Sequence, residues 1–287
     1  MFRLYRFGAH AALRAAGARS FRFRSRGHEL TVWEMGVRGG EPWMLLHGLG
    51  AMAAGWLPLA RALKRECRMV VPELSMLGGS RVADGGLAVG DGLPVLAELL
   101  EQRFPGEPAT LAGNSLGGWM ALRLALAHPH LVRRLVLVAP GGFREQDWER
   151  IEQLLRIRDS EGAARVVSAM FLKPPLPRPL MARAFRAAYT SPAVVGPLGK
   201  LCEADALGED DLARIEAPVA LVWGERDGVF EVETADRMAA ALPRAHVYRL
   251  PAAHVVQWDR PGHLVAAVRD FRARTRPRPE DHTRSAA

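Results

Sequence analysis

Short apolar runs bounded by turn residues recur along this chain at intervals that leave room for one helix between them, and this rhythm limits the fold more than any other feature. The runs are PWMLLHG (42–48), RMVVPEL (68–74), PATLAGN (108–114), RRLVLVA (133–139), PVALVWGE (218–225) and AHVYRL (245–250). Each has the length of a strand. Helical patterns lie at 56–67, at 92–104, after Ser115, at 232–241 and at 261–274. Parallel neighbours need a crossover connection, so strands alternating with helices predict an α/β fold: a mostly parallel sheet with helices on both faces. Ahead of these runs, FRFRS and ELTVWE alternate apolar and polar residues around Arg26-Gly27, the pattern of a β-hairpin with Arg22 and Arg24 on its outer face. The expected sheet has eight strands.

The rhythm fails between residues 143 and 213. Only helical pieces such as WERIEQLLRIR and MARAFRAAY occur there, separated by KPPLPRP and SPAVVGP. This segment is expected to be a helical lid above the end of the sheet where active sites form. It divides the core into residues 20–142 and 214–273. The tail, residues 274–287, is expected to be disordered.

A formal charge of +8 raises the question of nucleic acid, and the placement of the charge answers it. Residues 1–28 carry seven Arg and no acid, and residues 269–287 carry six Arg against three acids. The ends hold +7 and +3, which leaves −2 for the body. Basicity confined to the termini, with no recognition motif, argues against a nucleic-acid partner. The two cysteines, Cys67 and Cys202, have no redox or zinc spacing. No run has the length of a spanning helix, and the N-terminus lacks the apolar core of a signal peptide. A cytoplasmic protein, at most peripheral to a membrane, is the expectation.

Residues 1–19 read as a basic amphipathic helix. Arg3, Arg6, His10 and Arg14 fall on one stripe, with Leu4, Tyr5, Ala9, Ala12 and Ala16 elsewhere on the wheel. Such a helix can dock weakly and reversibly on an anionic membrane, at about 1 kcal/mol per basic residue. A solvated helix packed on the core through its apolar side is an equal reading, and an Arg-rich transit segment a third.

The chemistry centres on Gly113-Asn114-Ser115-Leu116-Gly117, between a predicted strand and a predicted helix. In that context G-x-S-x-G is a nucleophile elbow, a turn so tight that both flanking positions must be small. Ser115 is the candidate nucleophile. A plain helix cap would not need both glycines. A hydroxyl needs a base, and His254, in the loop PAAHVVQWDRP after the last strand, is the best of nine histidines. His263 lies within a helix, His128 and His130 end one, and His47 is better suited to fixing the loop that follows it. The base needs an acid. Asp227, in WGERDG at the carboxyl end of a strand, completes the order Ser, Asp, His found on this sheet topology, with Asp147 of the lid as an alternative. The amides of Leu49, in His47-Gly48-Leu49-Gly50, and of Leu116 are the expected oxyanion donors. Nothing has the form H-E-x-x-H, a Walker loop or G-x-G-x-x-G, so no metal and no organic cofactor is expected, and GGLAVGDG (85–92) reads as a loop.

HGLG, GNSLGG, WGERD and AHVVQWDRP occur in the order of the α/β-hydrolase fold superfamily, which residues 20–271 resemble. Within it the chain is similar to single-domain esterases and lipases, monoacylglycerol lipases among them, some of which carry an N-terminal membrane-associating segment. The resemblance implies a serine hydrolase acting through an acyl-enzyme on a small apolar ester. C–C bond hydrolases and thioesterases use the same triad, and a non-catalytic ligand-binding protein on this fold is the remaining alternative. Two departures stand out. PELSMLGGS (72–80) replaces the usual aspartate, proline and glycine after the fourth strand, and Ala253 precedes the histidine where glycine is commoner. Met170, Phe171, Leu172, Leu180, Met181, Phe185 and Leu198 of the lid favour an apolar acyl or aryl group.

Overall fold

The computed structural model describes residues 2–82, 87, 89–199 and 206–276. Helix α1 (Phe2–Ala15) precedes a hairpin of β1 (Arg19–Ser25) and β2 (His28–Gly36). Arg26 and Gly27 both have positive φ, 50° and 80°, the left-handed pair that a two-residue turn between twisted strands demands. There follow β3 (Glu41–Leu46), a 3-10 turn (Ala53–Trp56), α2 (Leu57–Leu63), β4 (Cys67–Pro72), α3 (Val89–Arg103), β5 (Ala109–Ser115), α4 (Leu116–Ala127) and β6 (Val132–Pro140). Five helices are inserted next: α5 (Trp148–Leu155), α6 (Ser160–Met170), α7 (Arg178–Tyr189), α8 (Pro192–Gly199) and α9 (Glu209–Ala213). The chain then returns to the sheet with β7 (Val219–Gly224), α10 (Thr234–Ala241), β8 (Ala245–Leu250), α11 (Val256–Asp259) and α12 (Pro261–Arg274).

All eight strands form one sheet in the order β1-β2-β4-β3-β5-β6-β7-β8. Pairings β1/β2 and β2/β4 are antiparallel, and the rest are parallel. Every residue of β7 is buried, and in β5 every residue but Ser115, as strands covered on both faces require. Alternate residues divide between two cores. Met44, Leu46, Leu111, Leu137 and Leu221 pack with α3 and α4. Trp43, Leu45, Ala112, Val138 and Val222 pack with α2 and α12.

The inserted helices begin where the sequence supplies caps. Asp147 accepts from the Arg150 amide at the start of α5, and Asp159 from the Gly162 amide at the start of α6. A bridge between Phe143 and Leu207 closes the base of the insertion.

Two local expectations change. Helix α3 begins at Val89, so GGLAVGDG is not loop to its end; residues 83–86 and 88 lie outside the described residues. The helix expected from residue 56 starts at Leu57 with a proline in its first turn and stops at Leu63.

Helix α1 packs on the core through Leu13, with Ala16 just beyond its end also buried and Ala9 and Ala12 packed against the core, and part of the basic stripe turns inward with them. The basic stripe does not face solvent as a unit, because it is drawn onto Trp33 of β2. The His10 ring meets that indole edge-on at 4.8 Å, and the Arg14 guanidinium lies 5.4 Å from its centre. Leu13 is buried below them, whereas Phe7 is 71% exposed.

Burial pushes the Cys67 thiol up to about 12, and Cys202 lies outside the described residues. So do residues 277–287, most of the expected disordered tail. No helix among the described residues is long and apolar enough to cross a membrane.

Candidate active site

Strand β5 ends and α4 begins at Ser115, whose φ of 53° and ψ of −119° lie in a strained region for a residue with a side chain. The flanking glycines permit the turn. A Cβ on Gly113 would lie 2.3 Å from the Gly117 carbonyl oxygen, and one on Gly117 would lie 2.2 Å from that of Leu46. Ser115 makes no side-chain capping bond, so its hydroxyl is not committed to the helix. It stands at the positive end of α4.

Asp227 and His254 meet across the carboxyl ends of the strands. Asp227 Oδ1 accepts from the amides of Val229 (2.8 Å) and Phe230 (3.0 Å), which leaves Oδ2 to take His254 Nδ1 at 2.9 Å. The two side chains are buried, at 0% and 2% exposure. With Nδ1 donating, Nε2 carries the lone pair, and it is buried without a hydrogen-bond partner. Phe230 holds the ring edge-on at 5.1 Å. Ser115 and His254 line the same cavity. Asp147 is half exposed, caps α5 and pairs with Arg150, so it takes no part here.

The loop His47-Gly48-Leu49-Gly50 runs beside Ser115: a Cβ on Gly48 would lie 3.3 Å from that of the serine. His47 holds this loop, as its position at a strand end suggests. Its Nδ1 donates to the Gly48 carbonyl (2.9 Å), and its Nε2 accepts from the Leu74 amide (3.0 Å). Burial lowers its pKa against the opposing pull of Glu73 and the Gly48 carbonyl. Leu116 is the first residue of α4, where a helix leaves its amides without partners in the helix itself. Leu49 and Leu116 therefore flank Ser115 from two elements. His128, His130 and His263 lie outside the cavity.

Of the seven apolar residues singled out between 170 and 198, Met170, Phe171, Met181 and Phe185 line the cavity. Leu180 is 43% exposed, and Leu198 packs against the core. Trp148, Ile151 and Leu155 of α5 join the lining, with Trp119 below. Among the described residues no cluster of His, Cys, Asp or Glu is disposed to hold a metal.

Several residues that carry the site had no assigned role in the sequence reading. Asn114 donates to the carbonyls of Val138 (2.9 Å) and His254 (3.3 Å) and accepts from Gln257 (3.1 Å), which ties the elbow to the histidine loop. Tyr189 reaches the Leu49 carbonyl at 3.3 Å, and burial pushes its phenol up. Asp259, 6% exposed, accepts from the amides of Leu172 (2.9 Å), Lys173 (3.0 Å) and Ala253 (2.9 Å), joining the inserted helices to the residue before His254. Asn114, Gln257 and Asp259 all sit inside recognised motifs, but their partners are distant in sequence. Asp259→Ala leaves these amides without acceptors. It is expected to cost about 2–4 kcal/mol, read as a lower urea midpoint.

Residues 44–268 match the model of a family described as the alpha/beta hydrolase family. The pimeloyl-(acyl-carrier protein) methyl ester esterase of Nitrosomonas europaea is 29% identical over 237 residues, covering 74% of this chain and 87% of the relative. Lipase 1 of Psychrobacter immobilis is 25% identical over 232 residues, covering 77% and 73%. A solved structure described as a membrane phospholipase A, a bacterial virulence factor, superposes with a TM-score of 0.83 at 27% identity, covering 96% of this chain and 93% of its own. With the family matched over most of its length, an eight-stranded sheet of the corresponding topology, and esterases and lipases as its relatives, this chain belongs to the alpha/beta hydrolase family.

Proposed function

We propose that this protein is a serine esterase or lipase that hydrolyses carboxylic esters of apolar acyl groups through an acyl-enzyme on Ser115. The observation that carries this reading is the buried Asp227–His254 pair, whose unpartnered Nε2 shares an apolar cavity with the uncapped Ser115 hydroxyl. In this mechanism His254 Nε2 takes the Ser115 proton as Oγ attacks the ester carbonyl. The tetrahedral oxyanion rests on the Leu49 and Leu116 amides, and His254 returns the proton to the leaving alcohol. Water then enters, is deprotonated by His254 and releases the acid. Asp227 keeps the imidazole in the required tautomer and offsets the charge of the imidazolium.

The apolar lining favours medium acyl chains, with monoacylglycerols as candidate natural substrates. The test is a panel of p-nitrophenyl esters from acetate to palmitate, beside monoacylglycerols, acyl thioesters and vinylogous diketones. Preference for an ester of intermediate chain supports the reading. Selective turnover of the diketone or the thioester replaces it with C–C or thioester cleavage, and binding without turnover of any of them replaces it with a ligand-binding role.

Peripheral membrane contact belongs to the same proposal, through Phe7, which the helical period places beside Arg3 and Arg14 of the basic stripe. Tyr5, 42% exposed, lines the cavity, and Phe7 is 71% exposed on the same helix. Inserting one such side chain contributes about 1.5–3 kcal/mol. Phe7→Asp is expected to lower the fraction that co-sediments with anionic vesicles while leaving turnover of a short soluble ester unchanged.

A further inference from the structure

Behind the loop that holds Leu49 lies a carboxyl group the reaction does not use. Glu73 sits just after β4, and its side chain is 0% exposed. Its Oε2 accepts from the Ala53 amide at 3.1 Å, at the start of the 3-10 turn that follows the loop. Space for it is reserved, since a Cβ on Gly78 would lie 2.0 Å from that same oxygen. His47 approaches Oε2 to 3.6 Å but supplies no proton, because its Nε2 already accepts from the Leu74 amide. The other oxygen, Oε1, has no hydrogen-bond partner, and 3.7 Å away stands His10 Nε2 of α1, a buried nitrogen equally without one.

A carboxylate withdrawn from water is costly to leave half satisfied, so a donor on Oε1 stabilises the whole arrangement. His10 is held on that side by its contact with Trp33, and α1 is anchored by the buried Leu13. The path is continuous. It runs from α1 through His10 to Glu73, from Glu73 to the Ala53 amide, and along the chain to Leu49, with His47 fixing the near end of the loop. Tyr5 also lies within the field of Glu73.

We propose that His10 and Glu73 form a latch through which the N-terminal helix holds the oxyanion loop in its working position, so that a segment outside the hydrolase core sets the placement of a catalytic amide. Both are positioning residues, since neither touches the reacting atoms. The inference rests on the proposed ester hydrolysis for its kinetic consequence and on geometry alone for its mechanical one.

The full chain is compared with His10→Ala and His10→Gln, the latter keeping a donor of similar reach. Turnover of a p-nitrophenyl ester is measured beside inhibition by an alkyl boronic acid, whose tetrahedral adduct depends on the oxyanion donors. Amide hydrogen exchange is followed in the segment 46–54. Loss of one oxyanion donor lowers turnover about 10²–10³-fold, so its displacement in His10→Ala is expected to lower kcat about tenfold or more. KM should stay within about twofold, on the premise that these amides act on the transition state more than on the bound ester. The boronate inhibition constant should rise with the kcat loss, exchange in 46–54 should quicken, and His10→Gln should restore most of each.

Unchanged exchange in His10→Ala overturns the latch, whatever the activity. A kcat loss with no matching boronate effect also overturns it, by reducing His10 to a structural role. Quickened exchange in a chain that hydrolyses no ester in its natural form supports the latch and overturns the reaction assigned to the site.

Discussion

Ser115→Ala is expected to abolish ester hydrolysis, with turnover falling on the order of a million-fold while the fold is retained. The size follows from the role proposed for Ser115, because without a nucleophile no acyl-enzyme would form, and the residual rate would be what binding and the proposed oxyanion donors supply alone. The retained stability follows from the geometry. The hydroxyl makes no capping bond, so its removal orphans nothing, and alanine meets the same strain at φ 53° that serine does. Turnover and thermal unfolding are measured on one preparation. A variant that keeps its activity removes Ser115 from the reaction. A variant that loses activity and melts far below the natural chain shows that the elbow needs the hydroxyl to fold, a role nothing in its surroundings supports.

The elbow could be read from sequence because its demands are local. Gly113 and Gly117 must be small to let the chain cross itself, and strand and helix patterns on either side place the serine between them. The strands were legible for a related reason. Runs such as Val219–Gly224, buried on both faces, have to be apolar throughout whatever their neighbours are. What escaped depends on partners far along the chain. Glu73 draws its meaning from Ala53 and His10, and Asp259 from Leu172 and Lys173, and no spacing rule joins those pairs. The orientation of α1 was open in the sequence for the same reason. A helical wheel sorts residues onto faces, but Trp33 and Glu73 decide which face turns inward, and here part of the basic stripe finds an aromatic surface and a buried carboxyl group more favourable than water.

The second large effect is expected at Asp227, and its two oxygens allow two of its roles to be separated. In Asp227→Asn the amide oxygen can keep the Val229 and Phe230 amides, so the turn after β7 persists. The NH2 group then faces His254 Nδ1, which must become an acceptor, and the proton moves to Nε2, the nitrogen proposed as the base. Turnover should fall about 10⁴-fold, the scale found where a triad acid is replaced by its amide, with little change in thermal midpoint. Asp227→Ala should lose a comparable factor and also destabilise the protein by about 1–3 kcal/mol, because two buried amides lose their acceptor. If the asparagine variant turns over at the natural rate, the acid lies elsewhere, yet Asp147 is half exposed and committed to the start of α5. If both variants lose activity and stability together, Asp227 is a structural brace first and a partner of His254 second. The division expected here, activity lost in both and stability lost only with alanine, assigns each oxygen its own task.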